Sequence, residues 1–283
     1  MIVLSLFDGI SCGQVALERA GIKVDAYLAS EIDKYAIQIT QKNYPNAIQL
    51  GDIKEIDGTC LPPIDLLMGG SPCQGFSFAG KQLNFNDPRS YLFFEFVRLL
   101  HECRPKWFLL ENVRMKKEYQ DVISNVLGVE PILINSALVS AQNRNRLYWT
   151  NIPNIEQPKD KKIYFCDILE ENANCFYYTN ESFNWLFKSE KRKNKYKQYS
   201  KKTKEKMQMI EASHYKGYSN QRCFGIEDKR GVRYISIVEC ERLQTLPDNY
   251  TEGISNTQRY KCIGNGWTVD IIAHILKGIK ENA

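Results

Sequence analysis

The chain lacks a CxxC pair, has only three histidines and contains no apolar run long enough to span a bilayer, because charges interrupt every candidate. Its nine cysteines, Cys12, Cys60, Cys73, Cys103, Cys166, Cys175, Cys223, Cys240 and Cys262, are odd in number and widely dispersed. That argues against a disulfide framework and against a zinc cluster, so no metal centre is expected. The opening Met1-Ile2-Val3-Leu4-Ser5-Leu6-Phe7-Asp8-Gly9 has no basic leader and reads as a buried strand entering a turn, not as a secretory signal. The expectation is a cytoplasmic protein with no membrane partner. Also missing are an internal repeat and a full G-x-G-x-x-G, the spacing that would favour a dinucleotide.

What is present is ordinary globular material. With 283 residues, 43% hydrophobic and 25% charged, the chain can bury one large core and carry a small second lobe. A formal charge of +5 is compatible with nucleic acid. Its distribution says more, since Lys188 to Lys206 is dominated by lysine and interleaved with Tyr196 and Tyr199. Such a run is either a solvated basic face or a phosphate-contacting surface.

Short apolar runs alternate with helical patterns in the first half. Strands are predicted at 2–7, 24–30, 64–68 and 107–110, and helices at 12–20, 32–43 and about 91–103. This is the grammar of a parallel sheet covered by helices, with ligand at the carboxyl ends of the strands. After Tyr148-Trp149-Thr150 the pattern dissolves into a Lys-, Asn- and Tyr-rich stretch reaching about Gly231. Periodicity returns with helices near 237–243 and 268–280, the last rejoining the first domain. We therefore expect a main domain of residues 1–152 plus 258–283, and a smaller one, with its return segment, at 153–257.

Phe7-Asp8-Gly9-Ile10-Ser11-Cys12-Gly13 follows a strand and opens a helix, where free amides and the helix dipole can hold an anion such as a carboxylate. A turn of this kind also fits dinucleotide enzymes or no ligand at all. Glu31 ends the second strand, where a carboxylate can accept ribose hydroxyls; Asp52, in Gly51-Asp52-Ile53, can accept from an adenine amine. Helix capping is the plainer role for either acid. Together they outline an adenosine pocket.

Gly69-Gly70-Ser71-Pro72-Cys73-Gln74-Gly75-Phe76-Ser77 lies just past another strand. A lone cysteine is ordinarily a small hydrophobe, but Pro72 and the flanking glycines constrain this one at a strand end, where the fold places chemistry. Leu109-Leu110-Glu111-Asn112-Val113 puts an acid at a further strand tip, where an unpartnered carboxylate would be costly. Gln142-Asn143-Arg144-Asn145-Arg146 offers two guanidinium groups two residues apart, on one face if the backbone is extended. Either arginine can anchor that acid, hold a phosphate or form a structural salt bridge.

In this order, and with Glu239-Cys240-Glu241-Arg242-Leu243-Gln244, Pro247 and Gly264-Asn265-Gly266, the chain resembles the cytosine-5 DNA methyltransferase family. The likeness covers nearly everything outside 153–232. Ser5 to Ile10, Ala29-Ser30-Glu31 and Trp267-Thr268-Val269 are also similar to the catalytic domains of vertebrate de novo DNA methyltransferases, whereas Gln74-Gly75-Phe76-Ser77 is similar to bacterial enzymes. The resemblance implies a Rossmann-like α/β methyltransferase fold with a smaller target-recognition domain. It implies S-adenosylmethionine as cofactor, held by Phe7, Asp8, Gly9, Gly13, Glu31, Ile32, Asp52, Ile53, Ser71, Pro72 and Asn265. Double-stranded DNA is the implied partner, with a separate cognate restriction enzyme in a bacterial or phage setting.

By the same resemblance, Cys73 attacks carbon 6 of a flipped cytosine while Glu111 contacts ring nitrogen 3 and the exocyclic amine. Arg144 and Arg146 lie near the flipped nucleotide, and Gly75 to Arg89 closes over it. The lysine-rich run falls in the target-recognition region, where Asn220, Gln221, Arg222 and Arg230 can pair with base edges or serve as surface residues. A tRNA cytosine-5 methyltransferase on the same cofactor domain is the alternative reading.

Overall fold

The computed structural model describes residues 1–72, 91–217 and 223–280. Cys73, the Gly75 to Arg89 segment, Asn220, Gln221 and Arg222 lie outside the described residues. The elements run β1 (Ile2–Leu6), α1 (Cys12–Ala20), β2 (Ala26–Ser30), α2 (Lys34–Asn43), β3 (Ile48–Gln49), β4 (Leu66–Gly69), α3 (Tyr91–Cys103), β5 (Trp107–Val113), α4 (Lys117–Leu127), β6 (Ile132–Asn135), β7 (Gln142–Asn143) and β8 (Asn145–Thr150). They continue through α5 (Asn180–Phe187), α6 (Glu190–Lys193), β9 (Lys197–Tyr199), β10 (Met207–Gln208), β11 (Phe224–Asp228), β12 (Gly231–Arg233), α7 (Ile237–Leu243), α8 (Asn256–Asn265) and α9 (Val269–Lys280).

Two compact units form. The first is residues 1–136, 145–158 and 269–283; the second is 137–144 and 159–268. The sequence reading assigns 137–144 and 258–268 to the main domain, whereas in the structure they group with the second unit. The reason is local: β7 pairs with β10, and α8 packs on the 3-10 turn Ala212–Lys216.

The first unit is built on a seven-stranded sheet in the order β3-β2-β1-β4-β5-β8-β6. The pairs from β3 to β5 are parallel, as expected. At the other edge β8 runs antiparallel to both β5 and β6, which the strand-and-helix alternation did not foretell. Leu4, Leu6, Leu67, Phe96, Leu110 and Trp149 centre its core. α1 ends on Gly21, whose φ of 66° gives the left-handed cap that glycine adopts without strain. α2 begins later than the apolar pattern suggests because Asp33 caps it, accepting from the N–H groups of Tyr35 and Ala36. α9 packs against α1.

In the second unit β9, β11 and β12 form a small sheet, packed around Phe165, Tyr199, Phe224, Ile226 and Leu243. The fully buried Arg233 and Glu239 pair at 2.6 Å. Glu239 closes a capping box with Ser236 at the start of α7.

Candidate active site

Strand register assembles the site. Leu6 lies opposite both Ser30 and Gly69, and Gly69 lies opposite Leu110. The residues that follow, Phe7 to Gly9, Glu31, Ser71-Pro72 and Glu111, therefore emerge at one end of the parallel part of the sheet, where ligands of this architecture bind.

The first loop is tightly determined. Phe7, Gly9 and Ser11 all have φ between 55° and 61°, costly for the two that are not glycine, and such strain persists only where the surroundings hold it. The buried Asp8 carboxylate does the holding. It accepts from Ser5 Oγ at 2.6 Å, from Tyr27 Oη at 2.6 Å and from Ser11 Oγ. Burial pushes its pKa up to about 6 against the lowering effect of those hydroxyls. Asp8 thus braces the loop after β1 through its side chain. Gly13 packs closely against the end of the Met68 side chain, where a Cβ would sit 2.4 Å from Cε and displace it.

Glu31 joins the loop to the second strand. Its Oε2 accepts from the Gly9 N–H and its Oε1 from the N–H groups of Ile32 and Asp33, each at 2.8 Å. Beside it the apolar Ile32 is 74% exposed, a surface available to a flat ring. Asp52 caps the 3-10 turn Ile53–Glu55 through Oδ1; among the described residues its Oδ2 takes no hydrogen bond and remains an acceptor. Ile53, by contrast, is buried in the core. A tightly held loop, two carboxylates and an exposed apolar face therefore lie at the ends of β1 to β3.

Within β5, Glu111 is buried and Arg146 Nε lies 2.9 Å from its carboxylate. The neighbouring Asn112 donates to Ser71 Oγ at 3.1 Å and to the Ser71 carbonyl at 3.4 Å, holding the residue two positions before Cys73. Sequence reasoning quoted Asn112 within a motif without giving it this task. Arg144 behaves differently. Its guanidinium donates to the carbonyls of Ile210, Gly264 and Gly266 at 3.0 to 3.4 Å, inside the second unit. The extended run breaks between β7 and β8, with Arg144 in the break and Arg146 within β8. Asn265 is exposed at the end of α8. Among the described residues no cluster of metal-ligating side chains occurs.

The sheet order and the strand-end residues define the class of Rossmann-like, S-adenosylmethionine-dependent methyltransferases. A methyltransferase from Entamoeba histolytica has this fold, with a TM-score of 0.81 at 20% identity over 100% of this chain and 98% of that one. So does the Dnmt2 methyltransferase of S. pombe, with a TM-score of 0.72 at 16% identity over 100% and 99%.

The chain belongs to the C-5 cytosine-specific DNA methylase family, whose model matches residues 1–281, and has the activity of a DNA (cytosine-5-)-methyltransferase. It is 33% identical to the type II methyltransferase M1.ScrFI of Lactococcus lactis subsp. cremoris over 99% of this chain and 78% of that protein. It is 30% identical to the type II methyltransferase M.NlaX of Neisseria lactamica over 98% and 96%.

Proposed function

We propose that the enzyme takes a cytosine out of duplex DNA and methylates its carbon 5 through a covalent Cys73 adduct. The observation that carries this reading is the Asn112–Ser71 hydrogen bond, which ties the segment entering Cys73 to the strand end that presents Glu111. A free thiol with a pKa of ~8.5 is little ionised at neutral pH but intrinsically nucleophilic, so accurate placement is the main requirement. The Cys73 thiolate adds to carbon 6. Glu111, oriented by Arg146, binds ring nitrogen 3 and the exocyclic amine, which makes carbon 5 nucleophilic. S-Adenosylmethionine, when bound, supplies an electrophilic methyl group. Departure of the carbon 5 proton then expels the thiolate.

For the cofactor, Glu31 and Asp52 are the acceptors for ribose hydroxyls and the adenine amine, Ile32 the apolar face, and Phe7, Gly9, Gly13, Ser71 and Pro72 the surrounding wall, with Asp8 and Ile53 acting through the backbone; Asn265 is a cofactor residue by the family resemblance alone. Arg144 braces the second unit, and the target-recognition role falls to residues 153–257. A bacterial or phage cytosol is the proposed setting, with any cognate restriction enzyme acting as a separate protein.

Bisulfite sequencing of DNA from cells expressing the wild type or Cys73→Ser tests the central step. Protected cytosines are expected at one sequence context with the wild type and none with the variant, while binding of S-adenosylhomocysteine stays near the wild-type value. Near-normal protection by Cys73→Ser, or methyl incorporation into tRNA alone, would overturn the reading.

A further inference from the structure

Arg98 lies on α3, outside every motif by which the chain resembles its family. Two carboxylates of its own helix hold its guanidinium: Nε donates to Glu95 at 2.9 Å, and Nη1 donates to Glu102 at 2.8 Å. The fork is then aimed at backbone. Nη1 donates to the Ile56 carbonyl at 2.9 Å and Nη2 to the Ile53 carbonyl at 3.0 Å. Glu102 completes the arrangement by accepting from the Gly58 N–H at 2.8 Å. Gly58 permits that approach, because a Cβ there would sit 2.8 Å from Glu102 Cβ.

These contacts converge on one small element. The 3-10 turn Ile53–Glu55 is capped at its start by Asp52 and closed at its end by Ile56. Within the turn the Ile53 carbonyl accepts only the long 3.4 Å bond from the Ile56 N–H, and a charged donor adds a stronger bond to it and to the Ile56 carbonyl. The side chains of Ile53 and Ile56 share a core cluster with Phe93, Phe96 and Leu99 of α3. Apolar packing presses the turn onto the helix but is non-directional. The guanidinium fork, planar and bidentate, supplies the direction. An exposed ion pair alone would contribute little; Arg98 is 31% exposed at the side chain and spends two of its bonds on carbonyls.

We propose that Arg98 is a positioning residue for the adenine end of the cofactor site, setting the orientation of Asp52 through the Ile53–Ile56 backbone without touching the ligand. This rests on the reading of Asp52 as an adenosine acceptor.

Steady-state kinetics of Arg98→Met and Arg98→Lys, beside Asp52→Asn and Arg19→Met, provide the test. Arg19 pairs with Asp270 elsewhere in the first unit and controls for simple loss of an ion pair. The expected result for Arg98→Met is a KM for S-adenosylmethionine raised about tenfold, the scale of one charge-assisted hydrogen bond, with kcat at saturating cofactor and KM for DNA near wild type. Arg98→Lys keeps the charge beside Glu95 and Glu102 but cannot fork, and should fall between the two. It also carries the test if Arg98→Met does not fold. Hydrogen exchange of residues 53–58 without ligand should be faster in both Arg98 variants.

An unchanged KM for the cofactor in both Arg98 variants while Asp52→Asn raises it would overturn the proposal, as would a fall in kcat and DNA affinity that tracks melting temperature. If Asp52→Asn leaves the KM unchanged, the adenosine reading fails instead, and the exchange of 53–58 still reports whether Arg98 holds the turn.

Discussion

Three hydroxyl groups donate to the one buried carboxylate of Asp8, and this side chain gives the loop after β1 a pH signature. Its pKa is raised by burial to about 6, so the folded state binds the proton more tightly than the unfolded chain does. The associated stability is therefore fully present below about pH 4 and is lost as pH rises through about 6, a swing of at most about 3 kcal/mol. Carboxylates held low by their partners, such as Asp228 and Asp248, slope the other way, so the signature appears in a difference. Subtracting the Asp8→Asn stability curve from that of the wild type should leave a component that declines between about pH 4 and 6. Parallel curves in urea titrations across that range would show that Asp8 does not titrate there.

At the scale of elements, most motif residues outside the first unit work as joinery. Gln142 Nε2 donates to the Leu243 carbonyl, its Oε1 accepts from the Ile210 N–H, and Gln244 Nε2 donates to the carbonyls of Ile263 and Gly266. With Arg144 they bind β7, α7 and α8 into one body. Gly264 makes the closest approach: a Cβ there would lie 2.2 Å from the Ala212 nitrogen and 2.3 Å from the Glu211 carbonyl carbon. Both are backbone atoms that cannot swing aside. Gly264→Ala should therefore destabilise the protein by about 3 kcal/mol or more, lowering the melting temperature by about 6 °C or more. Calorimetry within a degree of wild type would show that the turn yields.

For the whole molecule, charge distribution outweighs net charge. Within the lysine-rich run, Lys206 is withdrawn from any surface role, donating to the carbonyls of Ala137 and Ser140, and burial lowers its pKa. Lys197 and Lys201 are engaged by Glu205 and Glu171. Lys188, Lys191, Lys195, Lys202 and Lys204 are exposed and form no ion pair among the described residues. These five are the lysines of the run most open to a phosphate contact. Replacing Lys188, Lys191 and Lys195 by Gln should flatten the dependence of log affinity for DNA on log salt by up to about 3 units, since each phosphate contact contributes roughly 0.9. An unchanged slope would remove the run from the DNA surface. Among the described residues no helix is long and apolar enough to cross a membrane.

The sequence by itself determined the family and the α/β class, because these follow from local patterns. Apolar periodicity, a glycine after a strand and an acid at a strand tip are visible within a few residues of chain. The helices at 12–20, 91–103 and 237–243 emerge with the predicted bounds for that reason. The tertiary structure alone decided what each side chain touches. Arg144 and Arg146 look equivalent in sequence, yet one braces backbone carbonyls of the second unit and the other holds Glu111, since Arg144 falls in the break between β7 and β8 whereas Arg146 lies in β8 beside β5. Likewise Arg98 and Asp8 acquire their tasks from partners between 3 and 45 positions away, and hydrogen bonds across such separations leave no local pattern to read.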